Sequence, residues 1–191
     1  MINKNLNILR QNYFNFNIVL FYMVKFIFDL DYTLYSANDC IETDNSNIFY
    51  NSFRKKNFMN HLLDQIKHDK YIFTNGSYSH AELVLEKLDN KELFKDVVST
   101  DMVLDNLKPA PIMYEAAIRK FNIKNGEKVY FFEDSEENLQ MAKDNYNWNT
   151  VLIDPISFGK KPKYVDYRFK TIEEALLFFI VKEKFNKKKY N

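Results

Sequence analysis

Glycine, proline and cysteine are scarce in this chain: three, four and one among 191 residues. Collagen-like and linker-type chains need the first two in abundance and are excluded. The lone cysteine, Cys40, cannot close an intrachain disulfide, and three scattered histidines add no zinc-ligand spacing. A reducing, cytoplasmic compartment is therefore expected. Long hydrophobic runs are missing too. The most apolar stretch, Ile18 to Val24, falls far short of the roughly 20 residues that span a bilayer. It carries no small-residue cleavage site of a secretory signal either, so no membrane partner is expected. Nor is there an excess of charge of one sign. The net charge is +1; Lys182 to Asn191 carry +4, leaving −3 on residues 1–181. A basic body built to coat nucleic acid is not expected.

What is present is apolar and aromatic. Hydrophobic residues make up 46% and aromatics 17%, enough for a sizeable core and against general disorder. The length suits one domain, or one domain with a small insert. Met23 stands directly before the apolar Val24-Lys25-Phe26-Ile27-Phe28. Residues 1–22 are thus expected to be an N-terminal extension, with disorder a candidate state, ahead of a catalytic domain over 23–181. Residues 182–191 read as a lysine-rich tail, better explained as a solvated helix end than as a polyanion site.

Short apolar runs alternate with helical patterns, which predicts βα units around a parallel sheet. Phe26-Ile27-Phe28 leads into Asp29, Tyr71-Ile72-Phe73 into Thr74-Asn75-Gly76, and Val129 to Phe132 into Glu133-Asp134. Candidate strands at Asp96–Ser99 and Thr150–Ile153 complete about five. The expected fold class is α/β, a Rossmann-like parallel sheet with helices on both faces. Ser79 to Glu82 reads as a capping box. Pro111 suits the first turn of a helix to about Phe121. Ser135 can cap a helix from Glu136, and Thr171 with Glu174 a final one. In open α/β sheets ligands bind outside the carboxyl ends of strands, and three of those ends carry polar groups.

Four acidic groups at such ends, Asp29, Asp31, Glu133 and Asp134, would repel one another unless a cation sat among them. Hard oxygen ligands with open water positions suit Mg²⁺. With a hydroxyl and a lysine nearby, this is equipment for phosphoryl transfer. Lys108, before Pro109 and Pro111, supplies the positive charge.

The order and rough spacing of Asp29-Leu30-Asp31-Tyr32-Thr33-Leu34-Tyr35, Thr74-Asn75-Gly76, Lys108-Pro109 and Glu133-Asp134-Ser135 resemble the four motifs of the haloacid dehalogenase-like (HAD) hydrolases. Thr33-Leu34-Tyr35 and Asp134-Ser135-x-x-Asn138 are most like the pyrimidine 5′-nucleotidase type. The resemblance implies that Asp29 is the nucleophile, forming an aspartyl-phosphate, and that Asp31 is the acid and base. It implies that Thr74, Asn75 and Lys108 hold the phosphoryl group. Asp29, the Asp31 carbonyl and Asp134 would bind Mg²⁺, with Glu133 beside it. Nucleotidase-like members have Asp-Asp where this chain has Glu133-Asp134. Their helical cap is here reduced to about twenty residues, 36–56, because Phe58 to Lys67 reads as a core helix.

Blander readings apply to single residues. His80 is more readily a capping-box surface histidine than a substrate contact. His61 and His68 are too sparse for a metal site. Trp148 reads as a packing aromatic rather than a base-stacking one. The polar loop 38–47 is either a substrate rim or merely solvated. The leading expectation is a Mg²⁺-dependent phosphomonoesterase acting on a small phosphorylated metabolite such as a nucleoside monophosphate. Two alternatives stand beside it. One is a phosphatase for a phosphoprotein or nucleic-acid end, reached through an open capless site. The other is a non-catalytic HAD-fold interaction protein.

Overall fold

The computed structural model describes residues 24–104, 106–156 and 159–189, with side chains as far as Lys184. The expected extension over residues 1–22 lies outside the described residues, as do the side chains of Lys187 to Lys189.

Six strands form one parallel sheet: β1 (Val24–Phe28), β2 (Asp69–Phe73), β3 (Asp96–Val98), β4 (Lys128–Glu133), β5 (Asn149–Ile153) and β6 (Tyr167–Phe169), in the order β3-β2-β1-β4-β5-β6. The helices are α1 (Ser46–Ser52), α2 (Asn57–Gln65), α3 (Tyr78–Leu88), α4 (Pro111–Lys120), α5 (Glu136–Tyr146) and α6 (Ile172–Lys189). The lysine-rich C-terminal segment is thus the end of a helix as far as Lys189. The five expected strands are present. The sixth, β6, is only three residues long and half-buried throughout.

The unbroken apolar runs follow from burial on both faces of the sheet. On one face Phe26, Phe28, Ile72, Tyr130 and Phe132 pack with Met59 and Leu63 of α2, Val84 and Leu85 of α3, and Leu176 and Phe179 of α6. On the other, Ile27, Phe73, Val129 and Phe131 pack with Met113 and Tyr114 of α4, Leu139 and Ala142 of α5, and Trp148. Trp148 is 3% exposed and packs against Tyr114, Phe131 and Tyr146, so it is a core aromatic.

Two caps differ from expectation. The residue capping α3 is Ser77, whose side chain accepts from His80 N at 3.1 Å, not Ser79. Ser77 has the extended backbone a cap needs, whereas Ser79 is already inside the helix. Ser135 stands at the start of α5 but makes no side-chain cap bond; the Glu133 carboxylate accepts instead from the N–H groups of Asp134 and Ser135, just before the helix. The final helix starts as expected, with Glu174 N donating to Thr171 Oγ1 at 3.2 Å.

Residues 36–56 hold one short helix, α1, capped by the Asn45 side chain. No helix among the described residues is long and apolar enough to cross a membrane.

Candidate active site

The sheet order reverses between β1 and β4, where the carboxyl ends of neighbouring strands open a crevice. Phe28 pairs with Ile72 on one side and Phe132 on the other, so Asp29, Thr74 and Glu133 emerge together. Asp29 stays tied to the sheet through its N–H, which donates to Phe132 O at 2.8 Å. The chain then turns sharply. Tyr32 takes a left-handed φ of 60°, a conformation that costs a non-glycine residue about 1–3 kcal/mol and clusters at functional sites. The turn brings Asp31 Oδ2 to within 3.4 Å of Thr74 Oγ1.

Lys108 reaches into the crevice from the loop before α4 and is almost wholly buried. Its ammonium donates three hydrogen bonds: to Asp29 Oδ1 at 2.7 Å, to Glu133 Oε1 at 2.8 Å and to Phe73 O at 2.7 Å. An ammonium has three donors, so all are used. Burial works against the charge, but Asp29 and Glu133 outweigh it and hold Lys108 above its ordinary value. The loop itself is fastened by the Asn75 side chain, which binds Lys108 N and O. The side-chain amide of Asn75 is thus engaged with the chain, and only its main-chain N–H would serve an incoming anion.

Glu133 is committed on every side. Oε1 accepts from Lys108 and, at 2.6 Å, from Asn138 Nδ2; Oε2 accepts from the N–H groups of Asp134 and Ser135 at 2.8 and 2.9 Å. Burial opposes its charge, yet Lys108 and these donors hold it below its ordinary value.

Asp29, Glu133 and Asp134 each offer a ligand oxygen, all within 4.8 Å of one another. With one ammonium among three ionised carboxylates, two negative charges are left over. The strain shows in the acids. Burial first, then the Glu133 charge, push Asp29 well above the ordinary carboxylate range against the pull of Lys108. Asp134 opens to solvent on one side, yet desolvation and then Glu133 push it up to about 7. A divalent cation would offset this excess, and hard carboxylate oxygens suit Mg²⁺. Asp29 and Asp134 could hold it directly. Glu133, with four donors already on its two oxygens, could act on it only by orienting its neighbours or through water.

Asp31 has a different environment. Oδ1 accepts from His80 Nε2 at 2.8 Å and from the Tyr35 hydroxyl. Burial would raise this carboxyl, but the bonds from His80 and Tyr35 hold it below its ordinary value. His80 is therefore no capping-box surface residue, as the sequence favoured. It is half-buried in the site, and its partner lies 49 positions earlier in the chain. Gly76 is required here by close approach: a Cβ would stand 2.8 Å from His80 Cδ2 and 3.3 Å from Thr74 Oγ1.

Residues 54–145 match the family model described as haloacid dehalogenase-like hydrolase. The matched span includes Thr74, Lys108, Glu133 and Asp134. Over that span the chain is similar to the haloacid dehalogenase-like hydrolases. Solved structures share this α/β fold. A chain from Thermotoga maritima assigned to beta-phosphoglucomutase superposes with a TM-score of 0.63 at 18% identity, covering 82% of this chain and 98% of that one. L-2-haloacid dehalogenase from Xanthobacter autotrophicus gives 0.63 at 13% identity, covering 81% and 97%. Another dehalogenase gives 0.52 at 21% identity, covering 62% of this chain and 53% of its own length. The chain thus spans about half the length of that relative.

Sequence reasoning brought Asp29, Asp31, Thr74, Asn75, Lys108, Glu133 and Asp134 to one crevice, and they are found there. It missed His80 and Tyr35 as partners of Asp31. The signal for Tyr35 was its spacing of four from Asp31 across a tight turn. For His80 no local signal exists.

Proposed function

We propose that the chain is a Mg²⁺-dependent phosphomonoester hydrolase that works through an aspartyl-phosphate on Asp29. The observation that carries this reading is the cluster of Asp29, Glu133 and Asp134 around a single buried ammonium, with two charges left for a divalent cation. Bound Mg²⁺ would neutralise phosphoryl charge and hold the phosphate against the nucleophile.

The residues divide the work as follows. Lys108 orients Asp29 Oδ1 and adds positive charge beside the transferring group. Asp29 attacks phosphorus, the bond from phosphorus to the leaving oxygen breaks, and Asp31 delivers a proton to that oxygen. Water then attacks the phosphorus of the acyl phosphate, Asp31 takes up the water's proton, and Asp29 is released with inorganic phosphate. Asp31 is held below its ordinary value and so ionised, ready for the second step. A phosphate dianion bound beside it raises its proton affinity, as a like charge does, and so favours the first. Thr74 and the main-chain N–H of Asn75 serve the phosphate oxygens.

Asp31 also argues against carbon–halogen cleavage, because a departing halide needs no proton. Tyr32, Glu42, Thr43, Asp44 and Phe49 line a shallow depression of about 570 Å³ that is largely open to solvent. The rings of Tyr32 and Phe49 can flank a base or another flat group. The carboxylates of Glu42 and Asp44 oppose any additional phosphate. Together they favour a monophosphate with a neutral remainder, such as a nucleoside monophosphate.

The test is release of phosphate from p-nitrophenyl phosphate with Mg²⁺ and with EDTA, followed by nucleoside mono- and diphosphates and 2-chloropropionate. Mg²⁺-dependent release, with monophosphates preferred, supports the proposal. Halide release without phosphate release overturns it.

A further inference from the structure

Building on the phosphomonoesterase reading, we infer that His80 is a positioning residue for Asp31, and that Tyr50 on the insert helix α1 fixes His80 in turn. The three side chains come from three separate parts of the chain. Tyr50 OH lies 2.9 Å from His80 Nδ1, and Nε2 lies 2.8 Å from Asp31 Oδ1. In a neutral imidazole one nitrogen donates and the other accepts. The carboxylate can only accept, so Nε2 carries the proton and Nδ1 accepts from Tyr50. A ring flip would break both bonds at once.

The ring is also confined from its sides. Phe49, the neighbour of Tyr50 on α1, stacks on it at 6.2 Å with an interplanar angle of 24°. Gly76 comes so close to Cδ2 that no Cβ fits between them. An imidazole fixed at both nitrogens and on its flanks fixes the carboxylate it holds. The consequence for Asp31 is an asymmetry. Oδ1 is occupied by His80 and Tyr35, whereas Oδ2 receives Thr74 Oγ1 at 3.4 Å, a long contact. Oδ2 is thus the oxygen that exchanges the proton, on the side of the residue that holds the phosphate.

His80 is not needed to build α3. Ser77 caps that helix, and Ala81, Val84, Leu85 and Leu88 anchor it in the core. The short insert therefore reaches the chemistry through a hydroxyl on an imidazole, in addition to any contact with substrate.

The experiment compares wild type, His80→Leu, His80→Gln and Tyr50→Phe on p-nitrophenyl phosphate and on an alkyl phosphate. The nitrophenolate leaves without a proton, whereas an alkoxide needs one. Loss of a correctly placed proton donor should therefore cost His80→Leu about a hundredfold in kcat on the alkyl ester, far less on the aryl ester, with KM little changed. His80→Gln, whose amide nitrogen can stand where Nε2 stands, should recover most of the loss, and Tyr50→Phe should fall between. Equal losses on both esters, or no rescue by glutamine, overturn the inference. The ¹⁵N spectrum of the imidazole decides it independently of turnover. Nε2 should be protonated and should shift in Asp31→Asn, and Nδ1 should shift in Tyr50→Phe. A chain that hydrolyses neither ester refutes the phosphatase reading. Nitrogens that ignore both substitutions refute the relay.

Discussion

Asn75 and Lys108 hold each other by two hydrogen bonds across 33 residues: Asn75 Oδ1 accepts from Lys108 N at 2.7 Å, and its Nδ2 donates to Lys108 O at 3.2 Å. The clasp fixes the main chain from which the buried ammonium hangs. Asn75→Ala should cost about 1–2 kcal/mol of stability, the range for two such bonds, and should lower kcat by loosening Lys108. Chemical denaturation and steady-state kinetics check both. A stable variant with full activity would show that the loop is held by other contacts.

Removing the ammonium itself should be far more damaging. Lys108→Met leaves Asp29 and Glu133 buried without their cation, and breaking a buried pair on one side costs about 3–5 kcal/mol. Asp29→Asn removes a carboxylate that burial already disfavours. It should therefore melt at or above the wild-type temperature while losing at least about a thousandfold in turnover. Thermal melts and the phosphatase assay separate the two. If Asp29→Asn keeps more than about a tenth of its activity, Asp29 is not the nucleophile, since loss of a covalent catalyst costs orders of magnitude.

Asp134 and Glu133 are neighbours in sequence with separable tasks. Asp134→Asn should raise the Mg²⁺ concentration needed for half-maximal activity sharply, while the metal-free protein melts at or above the wild-type temperature at neutral pH, because burial disfavours this carboxylate. Glu133→Gln should lower the melting temperature, because an amide cannot accept all four donors now on its oxygens. A Mg²⁺ titration in which Glu133→Gln shows the larger shift would reverse the assignment.

The acids also set a pH dependence. An unfolded Asp titrates near 3.9, whereas Asp134 in the fold is pushed up to about 7. Below about pH 4 both states are protonated at this residue. Between there and pH 7 the unfolded chain ionises freely while the fold resists, so the metal-free protein should lose stability as pH rises. Asp31, held below its ordinary value, acts in the opposite sense, and its contribution is lost only as pH falls beneath that window. The gap between melting temperatures in Mg²⁺ and in EDTA should widen from pH 5 to pH 8 and shrink in Asp134→Asn. A gap independent of pH would contradict the placement of the cation at Asp134.

The strands and the residues at their ends were legible in the sequence for a physical reason. A parallel strand covered on both faces must be apolar throughout, so Phe28, Phe73 and Phe132 announce both the strand and the place where it stops. β6 was not legible. Tyr167–Phe169 lies at the sheet edge, half-buried, and three residues leave no pattern to read. The cap of α3 was misplaced because Ser77 and Ser79 are the same residue type and only backbone conformation separates them. His80 was misread because its partners, Tyr50 and Asp31, are 30 and 49 residues away. Only the folded chain brings them within reach.

The parallel pairing of β2, β1 and β4 has a consequence for re-engineering. Asp29, Thr74 and Glu133 sit on adjacent rails whose ~4.8 Å spacing is set by main-chain hydrogen bonds, so the constellation has a ruler that side-chain changes do not stretch. Residues 36–56 hang from a single crossover between two of those rails. Its anchors, Phe53 in the core and the Lys56–Glu173 ion pair, are what any exchange of the segment has to keep. A longer helical insert grafted between Tyr35 and Asn57 would retool substrate choice while leaving the nucleophile where the sheet puts it, provided a hydroxyl is returned to the position of Tyr50.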